Sequence, residues 1–231
     1  MTRLLLIPTE RERRILLPRL IGFDGDSDRR GDWVVEPVGF GLVSAGVRTA
    51  MLLAQTRPQL VVLAGIAGGY HERLSVGQAD EFGRVLVDGL GVGTHADNDF
   101  RTPQQLGWEQ WPGSASTPPV GDAIELASQP SSPLTLLSVA AAAADRREAD
   151  RRRRRYPEAD AEDMEGFAVA MACRLAGVPL RIVRGISNRV GDRELANWQV
   201  EPALDAVAER VCRIDRETTA NHDFRDAGEH R

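Results

Sequence analysis

No lysine occurs anywhere in the 231 residues, so all 29 basic side chains are arginine. Schiff-base chemistry and the lysine of a phosphate-binding P-loop both need a primary amine, so both are excluded. Cysteine is nearly as scarce: Cys173 and Cys212 are too few for a disulfide framework and lack metal-ligand spacing. Both stand in apolar, helix-like surroundings and read as free thiols of a reducing cytoplasm. Neither a metal nor a cofactor is called for. No apolar run reaches the length of a membrane span. The short run Leu4 to Ile7 meets Glu10, Arg11 and Glu12 almost at once, which suits a first strand and not a signal peptide. A net charge of −5 gives no reason to expect a nucleic-acid partner. The basic run Arg151 to Arg155 is read as a solvated helix end, not an RNA or anion site.

What remains is an ordinary globular composition, 42% apolar and 27% charged, on a chain long enough to bury a sizeable core. Arg3 to Pro8 reads as a strand, and Thr9 then stands where a helix N-cap belongs, with Glu10 and Glu12 in the first turn. Those two acids suit capping, and equally suit a site at the strand's carboxyl end. After a polar turn region from Phe23 to Asp32, Trp33 to Val38 is a second strand. Gly39-Phe40-Gly41 is a tight connection, too short a pattern for a dinucleotide fingerprint. Ser44 to Gln55 is a helix. Leu60 to Ala64 is a strand buried on both faces, and Gly65 to Tyr70 after it reads as a pocket wall where backbone approaches a ligand. Gly83 to Leu90 is a strand. The long segment from Gly91 to Ser132, which holds His95, Trp108 and Trp111, fits a functional lid or a disordered stretch. Leu134 to Val139 is a strand, and a helix runs from Ala140 to Arg155.

Two polar clusters then bracket an apolar helix, Met164 to Leu175, and an apolar strand, Leu180 to Ile186. The first is Glu162-Asp163-Met164-Glu165-Gly166; the second is Ser187-Asn188-Arg189-Val190-Gly191-Asp192. An acidic cluster opening an apolar helix, and an Asn closing a buried strand, point to a pocket for something polar at the edge of a parallel sheet. Trp198 to Ile214 is a final amphipathic helix. Residues 215–231 form a polar C-terminal tail expected to fray. Strands alternating with helices define an α/β domain over residues 1–214, with a largely parallel central sheet.

Four motifs come in the order and spacing of the purine nucleoside phosphorylase and nucleosidase superfamily. They are Gly39-Phe40-Gly41, Ala64-Gly65-Ile66-Ala67-Gly68-Gly69, Glu162-Asp163-Met164-Glu165-Gly166 and Arg184-Gly185-Ile186-Ser187-Asn188. The resemblance covers Leu4 to about Ile214. Within the superfamily, the string Ile186 to Arg193 followed by Trp198 resembles the futalosine hydrolases more than the methylthioadenosine nucleosidases. The implied fold is a single-domain three-layer sandwich, with a mixed, largely parallel sheet flanked by helices. The implied partners are a small nucleoside, water and further copies of the chain, as a dimer or tetramer.

The resemblance also implies roles. Breaking an N-ribosidic bond builds positive charge on the sugar and negative charge on the departing base. Glu165 resembles the family's ribose-binding glutamate, and Met164 beside it would pack against sugar or base. Glu12 resembles the glutamate that activates water, with Glu10 as the fallback. Asn188 stands where adenosine-type nucleosidases carry Asp. A carboxamide donates and accepts at once, which suits N7 and O6 of a 6-oxopurine such as hypoxanthine. Ile66, Ala67, Gly68, Phe167 and Ser187 are expected to complete the substrate site. Ile66 stands where several relatives carry a small hydroxyl residue. No arginine sits in the glycine loops at residues 39–41 or 65–69, apart from Arg48 on the following helix, so water is favoured over phosphate as second substrate. Asp192 and Arg193 are expected to order their loop. Arg184 or Arg193 is the alternative partner for the carboxylate on futalosine's tail. Two other activities remain open: a phosphorylase of 6-oxopurine nucleosides, and a nucleoside-binding protein without turnover.

Overall fold

The computed structural model describes residues 2–20, 29–71, 74–93, 99–126 and 132–226, without the side chains of 29–30 and 220–226. His95 lies outside the described residues, as does most of the turn region expected from Phe23 to Asp32. The first strand, β1 (Arg3–Ile7), leads to α1 (Glu10–Leu16). A two-residue β2 (Arg29–Arg30) precedes β3 (Trp33–Pro37), α2 (Gly41–Thr56) and β4 (Leu60–Gly69). Next come β5 (Ala79–Phe82), β6 (Arg84–Asp88), β7 (Ala123–Glu125) and β8 (Thr135–Val139). The chain closes with α3 (Arg146–Arg155), β9 (Ala161–Asp163), α4 (Gly166–Ala176), β10 (Leu180–Arg189) and α5 (Val200–Asp226).

The strands form one mixed sheet in the order β2-β3-β1-β4-β9-β8-β6-β7, with β10 pairing β4 and β5. β1 runs parallel to β3 and β4, β4 to β10, and β8 to β6 and β9. Side-chain alternation along β1 builds the layers. Leu4 and Leu6 pack on one face with Ala45, Leu52, Phe167 and Val169 from α2 and α4. Leu5 and Ile7 pack on the other with Leu16, Val207 and Val211 from α1 and α5. This is the expected three-layer sandwich.

Several boundaries differ from expectation, each for a local reason. β4 continues through the glycines to Gly69 because β10 pairs beside it up to Gly69, and β9 pairs Gly68 and Gly69. The expected pocket wall is therefore strand. β10 likewise runs to Arg189, with a bulge at Ser187 between the Ile186–Ala67 and Asn188–Gly68 pairs. The helix expected from Ala140 begins at Arg146, where Asp145 caps it by accepting from Glu148 N. Met164 and Glu165 precede α4, because Ala161 to Asp163 are taken into the sheet. α5 runs on to Asp226, well past Ile214. Arg3 anchors the extension through Asp215 at 2.8 Å and Thr218 at 2.8 Å. In the 91–132 segment, isolated bridges Val92–Arg101 and Trp111–Val120 and the edge strand β7 give the described residues their order. Val120, Ile124 and Leu126 are core, so this part of the segment packs into the fold.

Candidate active site

A cavity of about 640 Å³ opens at the carboxyl ends of β1, β4 and β10, the usual place for a ligand in an α/β sheet. Glu12, Ile66, Ala67, Gly68, Met164, Glu165, Ser187 and Asn188 all line it. Of the residues expected to complete the substrate site, Phe167 stays out of the lining. Its ring is 3% exposed in the core between sheet and helices, and its amide donates to Ser138 Oγ at 2.7 Å. Glu10 is on the exposed face of α1, paired with Arg13 at 3.4 Å and Arg14 at 3.2 Å. No described residue of the 91–132 segment borders the cavity, so the expected lid is not seen there.

Glu12 serves two ends. Its Oε2 accepts from Thr9 N at 3.1 Å and Thr9 Oγ1 at 2.5 Å, while Thr9 Oγ1 accepts from Glu12 N, a capping box. Its Oε1 accepts from Ile66 N at 2.9 Å, which fixes the carboxylate at the cavity wall. One bond leaves Oε1 with acceptor capacity for a water. Gly65 is why this fits: a Cβ there would stand 2.5 Å from Arg184 Nη1 and 2.7 Å from Glu12 Oε1.

Arg184 organises the acids. An arginine inside an apolar strand must find partners, and this one is fully buried. Its Nε and Nη2 donate to Asp163 Oδ2 at 3.1 and 2.5 Å, and Nη2 reaches Glu165 Oε2 at 3.4 Å. Asp163 is used up by these bonds, by Gly166 N at 2.8 Å and by Ser138 Oγ at 2.6 Å. Glu165 accepts from Gly41 N at 3.1 Å, where the chain turns through a positive φ of 85° into α2. Burial pushes the Glu165 carboxyl up to about 7; Arg184 opposes the rise, Asp163 adds to it, the Gly41 amide opposes it and Glu12 adds to it. Arg184 is thus an internal partner, which removes it as a receptor for a substrate carboxylate.

The bulge at Ser187 turns Asn188 towards the cavity. Asn188 Nδ2 donates to the carbonyls of Arg189 at 2.9 Å and Asp192 at 3.3 Å. Its Oδ1 accepts from Ser187 Oγ at 2.8 Å and keeps a second lone pair. Donation to a base therefore requires the amide to give up a loop carbonyl. Asp192 orders the loop as expected, accepting from Glu194 N at 3.0 Å and Asn197 Nδ2 at 3.0 Å. Arg193 does not pair with it; its guanidinium lies over Trp198, 5.2 Å from the ring centre. Arg48 pairs with Glu36 at 2.9 Å and is not part of the cavity lining.

Two features were missed in the sequence. Arg152, read as part of a solvated run, is 9% exposed and donates to Glu162 Oε2 at 2.8 Å and Asp88 Oδ2 at 3.1 Å. Tyr70 donates to the same Glu162 oxygen at 2.6 Å, and burial first, then Glu162, raises its hydroxyl's pKa. Glu162 thus lines the cavity as a fully tethered acid. The second feature is the apolar mouth made by Ile15, Leu195, Trp198 and Val200, beyond the expected motifs.

Glycine-edged strand ends, a buried arginine among acids and a cavity at the sheet's carboxyl edge define the class. The chain belongs to the phosphorylase superfamily, whose family model matches residues 30–220. It is similar to the futalosine hydrolase of Streptomyces coelicolor, 36% identical over 77% of this chain and 79% of that protein. It is also similar to the 5′-methylthioadenosine/S-adenosylhomocysteine nucleosidase of Bacillus pumilus, 29% identical over 78% of this chain and 79% of that one. Among solved structures, the native futalosine hydrolase of Helicobacter pylori superposes with a TM-score of 0.72 at 16% identity, covering 93% of this chain and 98% of that one. That likeness bears on the fold.

Proposed function

We propose that the chain is a nucleosidase that hydrolyses the N-ribosidic bond of futalosine, releasing hypoxanthine and dehypoxanthine futalosine in menaquinone biosynthesis. The observation that carries this reading is the convergence of Glu12, Glu165 and Asn188 on one cavity. In the proposed reaction the C1′–N9 bond breaks and its electron pair leaves with the purine. The Glu165 carboxylate accepts hydrogen bonds from the ribose hydroxyls and stabilises the sugar's developing positive charge. Water held on Glu12 Oε1 adds to C1′ and gives its proton to Glu12. The departing base gains a proton from solvent, with Asn188 on its N7 and O6 edge. Ser187 holds the Asn188 amide, Met164 packs against the sugar, and Ile66, Ala67 and Gly68 form the wall of strand backbone behind the nucleoside.

Water is favoured over phosphate by charge. Glu12, Asp163 and Glu165 surround Arg184, an acidic setting that suits a sugar cation and opposes a phosphate anion. Arg48, on the helix after the first glycine loop, is taken by Glu36. Two further expectations belong to the same reading. A homo-oligomer fits the exposed stripe Phe40, Val43, Val47 and Met51 along α2. A cytoplasmic location fits the two free cysteines; among the described residues no helix is long and apolar enough to cross a membrane. Chromatography of the purified protein with futalosine, inosine and methylthioadenosine, with and without phosphate, tests the function. Hypoxanthine from futalosine without phosphate supports it; strict phosphate dependence, or adenine as the preferred product, overturns it.

A further inference from the structure

The cavity lining is of two kinds, buried acids and a more exposed rim. The mouth holds Leu195, Trp198 and Val200 together with two arginines, Arg11 on α1 and Arg193 after β10. Neither arginine has a hydrogen-bond or ion-pair partner among the described residues, although acids stand nearby in sequence. Glu10 is engaged by Arg13 and Arg14, Asp192 by its own loop, and Glu201 by Arg19 at 3.2 Å. Arg193 is also held in place, since its guanidinium lies over Trp198 while Trp198 Nε1 donates to Asp192 O at 3.1 Å. Stacking of this kind leaves the guanidinium edge and its N–H groups available.

We infer that Arg193, with Arg11, is a specificity determinant that binds a carboxylate at the far end of the substrate, while Leu195, Trp198 and Val200 cover the aromatic ring that bears it. The inference rests on the futalosine reading and deepens it: the mouth selects for an aryl carboxylate tail and against nucleosides whose 5′ substituent is small and uncharged. An arginine fork matches a carboxylate in two parallel bonds, which a neutral tail cannot reproduce. The buried acids make the discrimination sharper, because they repel an anion placed the wrong way round.

The test compares kcat/KM for futalosine and for its methyl ester, which keeps the tail and removes its charge, in the wild type, Arg193→Met, Arg11→Met and Arg193→Lys. The wild type should prefer the acid by about 10- to 100-fold, the range expected of hydrogen bonds to a charged group. Arg193→Met should bring the ratio close to one by losing activity on the acid alone, Arg11→Met should lower it less, and Arg193→Lys should restore part of it. A ratio unchanged by all three substitutions, or an equal loss on acid and ester, overturns the inference while leaving the hydrolase reading standing. No hypoxanthine from either compound with the wild type removes the hydrolase reading, and this inference with it.

Discussion

Arg152 and Arg184 are both buried among acids, and they are balanced differently. Arg152 meets Asp88 and Glu162, with Glu148 at 3.4 Å and the carbonyl of Ala141 at 3.1 Å. Each Glu162 oxygen has a donor: Ala143 N on Oε1, and Tyr70 and Arg152 on Oε2. Arg184 instead faces three carboxylates, and only Asp163 holds it at close range. Its Nη1 is buried without a partner, and Glu165 is left with a raised pKa. The satisfied cluster ties α3 to β6 and β9 and reads as scaffold. The under-compensated one borders the cavity, where a perturbed carboxyl suits the proposed chemistry.

If that contrast is right, substitutions in the two clusters should separate activity from stability. Glu12→Gln keeps an acceptor for Ile66 N but removes the base; kcat should fall by about 10²- to 10⁴-fold, with unfolding free energy within about 2 kcal/mol of wild type, the range of a lost cap. Turnover assays and urea melts on one preparation read both numbers. A stable variant with unchanged kcat would remove Glu12 from the chemistry. Arg152→Met should do the reverse, costing about 3–5 kcal/mol of stability by stranding Asp88 and Glu162, while kcat of the folded fraction at low temperature stays within a few-fold of wild type.

Glu165→Gln should change both properties in opposite directions. Removing the charge opposite the sugar cation should lower kcat by about 10²- to 10³-fold. A carboxyl raised from 4.5 to about 7 contributes stability below pH 4.5 and loses it as pH rises to 7, on the order of 3 kcal/mol. The glutamine variant does not suffer that loss. Its Tm advantage over wild type should therefore grow by roughly 6 to 12 °C between pH 4.5 and 8, as calorimetry across that range would read. A constant difference would mean that Glu165 is not strained.

Asn188→Asp carries the smallest effect. Its new oxygen would face the carbonyls of Arg189 and Asp192, at a cost of about 1–3 kcal/mol. Preference in kcat/KM should move from 6-oxopurine towards 6-aminopurine nucleosides, measured with inosine and adenosine. An unchanged preference would remove Asn188 from base recognition.

Much of this was legible in the chain because polarity in an apolar setting is costly and so stands out. Glu165 before an apolar helix, Asn188 closing a buried strand and Glu12 behind a capping threonine all carry that signal. The strand identities followed from runs such as Leu60 to Ala64. What was not legible depends on pairing across the sheet. Gly65 to Gly69 has loop composition, and only β10 and β9 beside it make it strand. Phe167 follows Glu165 closely in the motif, yet the turn of α4 sends it to the core. Arg152 shares its composition with four neighbouring arginines, and the face of α3 decides which one turns inward. The mouth is built by residues far apart in sequence, Ile15 and Leu195 among them, with no local pattern to mark them.

The contrast between the two arginine clusters makes one demand on the proposed mechanism: Glu165 is to stabilise the sugar cation as a carboxylate, while burial pushes its carboxyl up to about 7. The direct test is kcat/KM for hypoxanthine release from futalosine in phosphate-free buffer, between pH 5 and 9. The rate should rise with pH through a midpoint near 7, as the Glu165 carboxylate forms. A rate that is flat or falls across that range, or no hypoxanthine without phosphate, would contradict the account.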